Sequence, residues 1–286
     1  MTIHIDLNTC IQCGRCAKVC PSEILRQEAV GKPIEIHRPE HCIGCGHCVD
    51  VCPTSSLLHS EFPAEKVHVI NYNLMPKPEQ MMALIKARRS NRSLTSKPIP
   101  THVLDQIVEA AACAPTATNA QSLSFTVITD PKKLLQVSEF TIGVFDGLAK
   151  VLLNPIVKTI LQPFMKDVYK YVPVFKRLKE NQEAGKDPVL RKATALLIIH
   201  TPKGNRFGSE DANLAYQNAS LMAQTLGVSQ IYMGFVLSAI KQNGKNALEK
   251  QLGINGQIKA IMALGYPEFT YTKYTDRKEI NKHFME

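Results

Sequence analysis

Eight of the nine cysteines fall between positions 10 and 52, in two blocks: Cys10-x2-Cys13-x2-Cys16-x3-Cys20-Pro21 and Cys42-x2-Cys45-x2-Cys48-x3-Cys52-Pro53. Aligned without gaps, the two twelve-residue blocks agree at eight positions: the four cysteines, Ile11/Ile43, Gly14/Gly46, Val19/Val51 and Pro21/Pro53. A duplicated unit is the simplest account. Three thiols at two-residue intervals can wrap one face of a polynuclear centre, and a fourth beyond a three-residue gap and before proline points at a different centre. Zinc is ordinarily taken by two ligand pairs, and a disulfide framework belongs to exported chains. Residues 1–8 carry Asp6 and no apolar run, which does not read as an export signal. Gly14, Gly44 and Gly46 give backbone N–H groups room to turn toward sulfur. His41 and His47 are read as solvent-facing or outer-shell groups, since cysteine fills every ligand position.

The pattern resembles the two-cluster bacterial ferredoxins. That resemblance implies two 4Fe-4S clusters with crossed ligands: Cys10, Cys13, Cys16 and Cys52 on one, and Cys42, Cys45, Cys48 and Cys20 on the other. It implies a domain over 1–62 whose interior is largely the clusters themselves, which does not fold without iron. Short strands are expected at Ile3–Asp6 and Ile34–His37.

At 286 residues the chain is longer than such a domain needs, so a second must follow. Pro63, Pro76 and Pro78 around a polar run mark a linker over 63–78 and a second domain over 79–286. Charge divides near the same place: residues 1–70 hold 6 Lys+Arg against 8 Asp+Glu, and residues 71–286 hold 28 against 17. A basic second domain suits anionic cofactors or substrates; no nucleic-acid motif is visible, and no nucleic-acid partner is expected. No run of about 18 uncharged apolar residues occurs. A cytoplasmic protein is expected, and thiols in this number fit a reducing compartment.

A helix from Pro78 through Arg89 is predicted, with Pro78 at its first position. It ends in Arg88-Arg89-Ser90-Asn91-Arg92, a cluster that suits a phosphate or an electron-rich carbonyl, or equally a solvated face. A second helix, capped by Thr101, buries Val103, Leu104, Ile107, Val108 and Ala111, and Cys113 at its end reads as a small core residue. Pro115, Thr116, Asn119 and Gln121 then lie in a hydroxyl- and amide-rich loop opening into a strand over Leu123–Thr129. Such side chains can hydrogen-bond a heterocycle or simply turn the chain. Ser209–Leu226 reads as a helix, with Glu210 and Asp211 in its first turn and Gly227 as its stop. Strands are expected at Thr194–Thr201, Val228–Met233 and Ile258–Leu264.

An RRSxR segment followed by an A-P-(S/T)-x-x-N-x-Q loop before a strand resembles the nitroreductase family of FMN flavoenzymes, over 79–286 apart from one insertion. The fold class implied is α+β: a small ferredoxin-like two-cluster domain, then a nitroreductase-like α/β sandwich with a central, mostly antiparallel sheet. The resemblance implies a homodimer with FMN at the subunit interface. Arg88, Arg89, Ser90 and Arg92 would hold the phosphate, ribityl chain and pyrimidine edge. Pro115, Thr116, Asn119 and Gln121 would reach the flavin across the interface. Met233 and Gly234 would offer a backbone N–H near N5, and Arg277 in the tail would reach the phosphate. No side-chain acid or base is implied as catalytic, because the chemistry is the flavin's. The insertion, about 141–192, holds 10 Lys+Arg against 5 acids among many apolar residues. A helical lid or dimer-interface element is expected there, with a peripheral membrane contact as the alternative.

Such a fusion implies an oxidoreductase passing electrons between 4Fe-4S clusters and FMN to reduce a small organic acceptor: a nitroaromatic, quinone or activated alkene. Clusters carry single electrons, these acceptors take pairs, and a flavin handles both. A one-electron donor such as reduced ferredoxin, or NAD(P)H, would supply them. A relay to a protein partner and a redox sensor without turnover are the competing readings.

Overall fold

A computed structural model describes residues 1–285. They form two compact units: Met1–Pro76 with Ala117–Gln121, and Lys77–Thr116 with the chain from Ser122 onward.

The first unit runs β1 (Ile3–Ile5), α1 (Arg15–Val19), β2 (Leu25–Arg26), β3 (Glu35–Ile36), α2 (His47–Asp50) and β4 (Leu57–His59). β1 pairs antiparallel with β4, and β2 with β3. The repeated sequence becomes a repeated structure, because each cysteine block closes in a short helix begun by a left-handed glycine, Gly14 and Gly46, both at φ 76°. A side chain at either position would strain that turn. The apolar core is small: Ile5, Leu25, Ile34, Cys48 and Leu57 are buried, with Cys10, Cys16, Cys20 and Cys52 packed against them.

The second unit begins with α3 (Pro78–Ala87), α4 (Thr101–Ala112) and β5 (Ser124–Ile128). Four consecutive helices follow, α5 (Pro131–Leu153), α6 (Pro155–Leu161), α7 (Lys166–Tyr169) and α8 (Val172–Glu183). The chain ends with β6 (Ala195–Thr201), α9 (Gly208–Thr225), β7 (Ser229–Tyr232), α10 (Gly234–Asn243), α11 (Ala247–Leu252), β8 (Gln257–Gly265) and an exposed tail. The sheet order is β5-β6-β8-β7, antiparallel throughout. Every residue of β6 is buried, because helices cover both faces of the sheet. Its side chains alternate with period two. Ala195, Leu197 and Ile199 enter a core shared with α4 and α9, while Leu196 and Ile198 enter a second core shared with α5, α8, α10 and α11. α9 lays Ala212, Ala215, Ala219 and Ala223 against α4 and the sheet, and this strip of small side chains permits close approach. The helix-sheet-helix sandwich expected from the sequence is present.

Local boundaries differ from expectation for physical reasons. α3 stops at Ala87, where Arg88 turns to ψ 127° and starts an extended segment. Thr101 does not cap α4; Pro100 holds the cap position without a side-chain bond, and Thr101 is the first helical residue. Cys113 is exposed rather than in the core. The buried stripe of α4 steps through Leu104, Ile107 and Ala111, and Cys113 follows it at the C-cap, off that face. The helix that starts at Pro131 runs on into the insertion, since α5 is unbroken to Leu153. Asp130 Oδ1 caps α5 by accepting from Lys132 N at 2.9 Å, and Asn154 caps α6 after a bend of 83°. Among the described residues no single helix is long and apolar enough to cross a membrane.

Ile107 is 0% exposed where α4 meets α9 and the sheet. Ile107→Ala is expected to lower unfolding free energy by about 3 kcal/mol in a denaturant titration, from lost transfer energy plus the cavity; a loss under about 1 kcal/mol would mean that this layer is not tightly packed.

Candidate functional site

Two small cavities in the first unit are lined by thiols. Cys10, Cys13, Cys16 and Cys52 surround one; Cys20, Cys42, Cys45 and Cys48 surround the other. Each therefore draws three cysteines from one block and the fourth from the other. All eight are free thiols. Among the described residues, no three His, Cys, Asp or Glu side chains are arranged to hold a single ion; the thiols instead bound a shared space. Burial pushes the Cys48 thiol up to about 11, with Cys42 and Cys45 adding to the effect, and burial also raises Cys16. At Cys52 burial opposes ionisation, but N–H groups of Thr54, Leu57 and Ser56 outweigh it and lower the thiol below its ordinary value. Buried thiols that repel one another as thiolates fit a cationic centre, which would offset both penalties. The sulfur-only donor sets that line the cavities thus fit iron–sulfur clusters.

Sequence reasoning passed over His59. It is 4% exposed, and its Nδ1 accepts from Glu61 N at 3.2 Å, so Nε2 carries the proton facing Cys42 Sγ at 3.7 Å. No local pattern marks it, since register in β4 brings it there. His41 and His47 are exposed as expected.

In the second unit the basic segment lies along the edge strand. Ser90 makes a parallel bridge to Gln230 of β7, Asn91 N donates to Gln230 O at 3.2 Å, and Asn91 Nδ2 donates to Ser229 Oγ at 3.3 Å. Gln230 Nε2 donates to Arg89 O at 3.4 Å, while Tyr216 OH donates to Gln230 Oε1. Burial pushes the Tyr216 phenol far above its ordinary range, with the Arg88 guanidinium opposing, so this hydroxyl keeps its proton. The pairing carries Arg92 to a cavity of about 570 Å³ that it lines with Tyr232, Met233, Gly234, Phe235 and Ser238. Gly234 begins α10, so unpaired N–H groups of that helix start here.

The other expected residues are distributed differently. Arg89 Nη1 donates to Lys86 O at 2.8 Å and Arg88 O at 3.2 Å, binding the carbonyl end of α3. Pro115 and Thr116 lie outside the cavity, in the loop after α4. Thr118, Asn119 and Gln121 all have left-handed backbones, at φ 53°, 53° and 44°. Asn119 groups with the first unit, where its Nδ2 donates to Gly44 O at 2.8 Å and Ile43 O at 3.2 Å. Arg277 lies in the exposed tail, which is tied back nearby by Asn91 Nδ2 to Phe269 O at 3.5 Å and Lys86 Nζ to Tyr274 OH at 3.5 Å. Phe145, Tyr171 and Phe175, from the inserted helices, also line the cavity, a role the sequence did not disclose.

Residues 85–266 match the nitroreductase family, and residues 2–53 match a 4Fe-4S dicluster domain. The chain belongs to the nitroreductase family. A putative NADH dehydrogenase/NAD(P)H nitroreductase from Archaeoglobus fulgidus is 24% identical over 197 residues, which is 66% of this chain and 87% of that protein. Iodotyrosine deiodinase 1 of Rattus norvegicus is 26% identical over 81 residues, which is 28% of this chain and 26% of the deiodinase. A Bacteroides fragilis nitroreductase crystallised with bound FMN superimposes with a TM-score of 0.55 at 22% identity, covering 72% of this chain and 99% of that one. As a nitroreductase-family protein with an iron–sulfur domain, this chain is an oxidoreductase. Its cavity, with a guanidinium beside the start of a ten-residue helix, fits an anionic, ring-bearing cofactor.

Tyr216 is 7% and Gln230 2% exposed. Gln230→Leu should cost about 2 kcal/mol in chemical denaturation by stranding the Tyr216 hydroxyl. Tyr216→Phe added to it should recover part of that loss, and additive losses in the double variant would show that the two groups do not interact.

Proposed function

We propose that this protein is a homodimeric iron–sulfur flavoprotein that binds two 4Fe-4S clusters and one FMN per chain and reduces a small organic acceptor. The observation carrying the proposal is that one chain holds two four-thiol cavities and a cavity where Arg92 of the basic segment meets the Met233–Gly234 turn. When bound, the FMN supplies the exchange between single electrons and the pairs that such acceptors require.

The chain's own contribution is binding and orientation. Cys10, Cys13, Cys16 and Cys52 hold one cluster, and Cys42, Cys45, Cys48 and Cys20 the other. His59 Nε2 donates to the sulfur of Cys42 and withdraws charge from it. Arg92 and Arg88 offer guanidiniums to the anionic and carbonyl groups of the flavin, and Arg89 steadies the helix end beside them. The first N–H groups of α10, at Gly234, face the same ligand. Pro115, Thr116, Asn119, Gln121 and Arg277 complete the site through the second copy and the tail. A dimer suits α3, which buries none of its side chains and leaves Met81, Met82 and Ile85 exposed, and which packs on α9, where Leu214 is exposed too. Reduced ferredoxin or a similar one-electron carrier is the proposed donor, with NAD(P)H as a direct route to the flavin; nitroaromatics, quinones and activated alkenes are the proposed acceptors.

The anaerobically purified protein should be brown and carry about eight irons per chain. Cys20→Ser should erase the electron paramagnetic resonance signal of the cluster held by Cys42, Cys45 and Cys48, and Cys52→Ser that of the other; damage restricted to the mutated block would refute crossing. Arg92→Ala should weaken FMN between ten- and about a hundredfold while sparing iron, the effect of losing one charge-assisted hydrogen bond. Removing residues 1–76 should leave a protein that binds FMN and reacts with NAD(P)H but is no longer reduced by ferredoxin. Equal rates of reduction by ferredoxin with and without that segment would remove the clusters from the route.

A further inference from the structure

The cavity that Arg92, Met233 and Gly234 line is walled in part by the inserted segment. We infer that this segment forms the acceptor end of the site and selects a flat aromatic molecule bearing a carboxylate, with Arg191 as its counter-charge. The inference rests on the reading that a flavin occupies the Met233–Gly234 turn, and it adds what that reading leaves open, the class of acceptor.

Three observations converge on it. The inserted wall is aromatic and ordered. Phe145 and Phe175 stack at 4.6 Å with planes 11° apart, Phe235 meets Phe145 edge-on at 5.6 Å, and Tyr171 lies 6.4 Å from Phe175. Tyr171 and Phe235 remain exposed at the cavity, so aromatic surface is left for a further flat ring. A volume of about 570 Å³ is in the range of small-molecule sites.

Charge is the second. Arg191 lines the same cavity and makes no ion pair among the described residues. An adjoining cavity gathers Arg177, Lys186 and Arg191 around the Asp187 carboxylate, so positive charge is in excess there and the local field favours an anion.

The third is the backbone that presents Arg191. Arg191 and Lys192 are both left-handed, at φ 59° and 63°, a conformation that long side chains rarely adopt. Asp187 holds the turn in place. Its Oδ1 accepts from Leu190 N at 2.9 Å, Val189 N at 3.2 Å and Ser138 Oγ at 3.3 Å, and its Oδ2 from Lys192 N at 3.1 Å. A turn that only reversed the chain would be relieved by glycine at these positions. Here four hydrogen bonds to one carboxylate maintain a strained arginine at a cavity wall, which is the relation between strain and function found at binding sites.

The test is calorimetric titration of the full-length, cofactor-loaded protein with 4-nitrobenzoate, its methyl ester and cyclohexanecarboxylate. The acid should bind about tenfold or more tightly than the ester, and also than the cyclohexane acid, which keeps the charge without the flat ring. Arg191→Gly should bring the acid-to-ester ratio close to one. Because glycine suits the left-handed backbone, that variant removes the guanidinium without loading the turn. Arg191→Lys should keep part of the preference. An acid that binds no better than its ester, or a preference that survives Arg191→Gly, overturns the inference. Flavin absorbance of the same samples separates the failures: full flavin content without preference defeats the acceptor class alone, whereas protein that takes up no flavin defeats the reading beneath it.

Discussion

The second unit depends on one constraint, the burial of β6 on both faces. Seven consecutive buried residues require a helical layer on each side of the sheet. Those layers leave β7 at the sheet edge, hydrogen-bonded to β8 on one side only. An open edge is a liability unless something covers it. Here Ser90 and Asn91 do so, and the Arg92 guanidinium of the same segment is thereby set beside the turn that starts α10. Burial in the core and placement of charge at the cavity are two ends of one chain of contacts.

Features written within a dozen residues were legible in the sequence, and features created by distant contacts were not. The cysteine blocks declare themselves because each motif is local, and Gly14 and Gly46 stand where the turn demands a left-handed residue. The central strand was readable for the same reason. Thr101 was misjudged because a hydroxyl before an apolar stripe suggests a cap, yet proline one residue earlier occupies that position. Cys113 was misjudged because hydrophobicity says nothing of angular position on a helix. His59 could not be found at all, and a lid could be expected over 141–192 without telling which of its aromatics line the cavity, since their neighbours lie far away in sequence.

Electrostatics in the two units follow opposite logic. The first gathers thiols whose ionisation burial resists, notably Cys48 and Cys16, and so favours a cationic guest. The second leaves guanidiniums without carboxylate partners among the described residues, Arg92 and Arg191 among them, and favours an anionic one. The basic excess of residues 71–286 is therefore not a diffuse property of the surface but is partly concentrated at a cavity wall.

Duplicated segments usually have a simple history: one copy keeps the original task and the other is free to drift or vanish. The arrangement of thiols closes that route. Cys52 completes the cavity begun by the first block, and Cys20 completes the cavity begun by the second. Deleting either block would leave three thiols in one cavity and one stray sulfur, so neither copy can be simplified back to a single working half. The exchange of one ligand in each direction acts as a ratchet on the gene, holding both repeats in place long after the event that produced them.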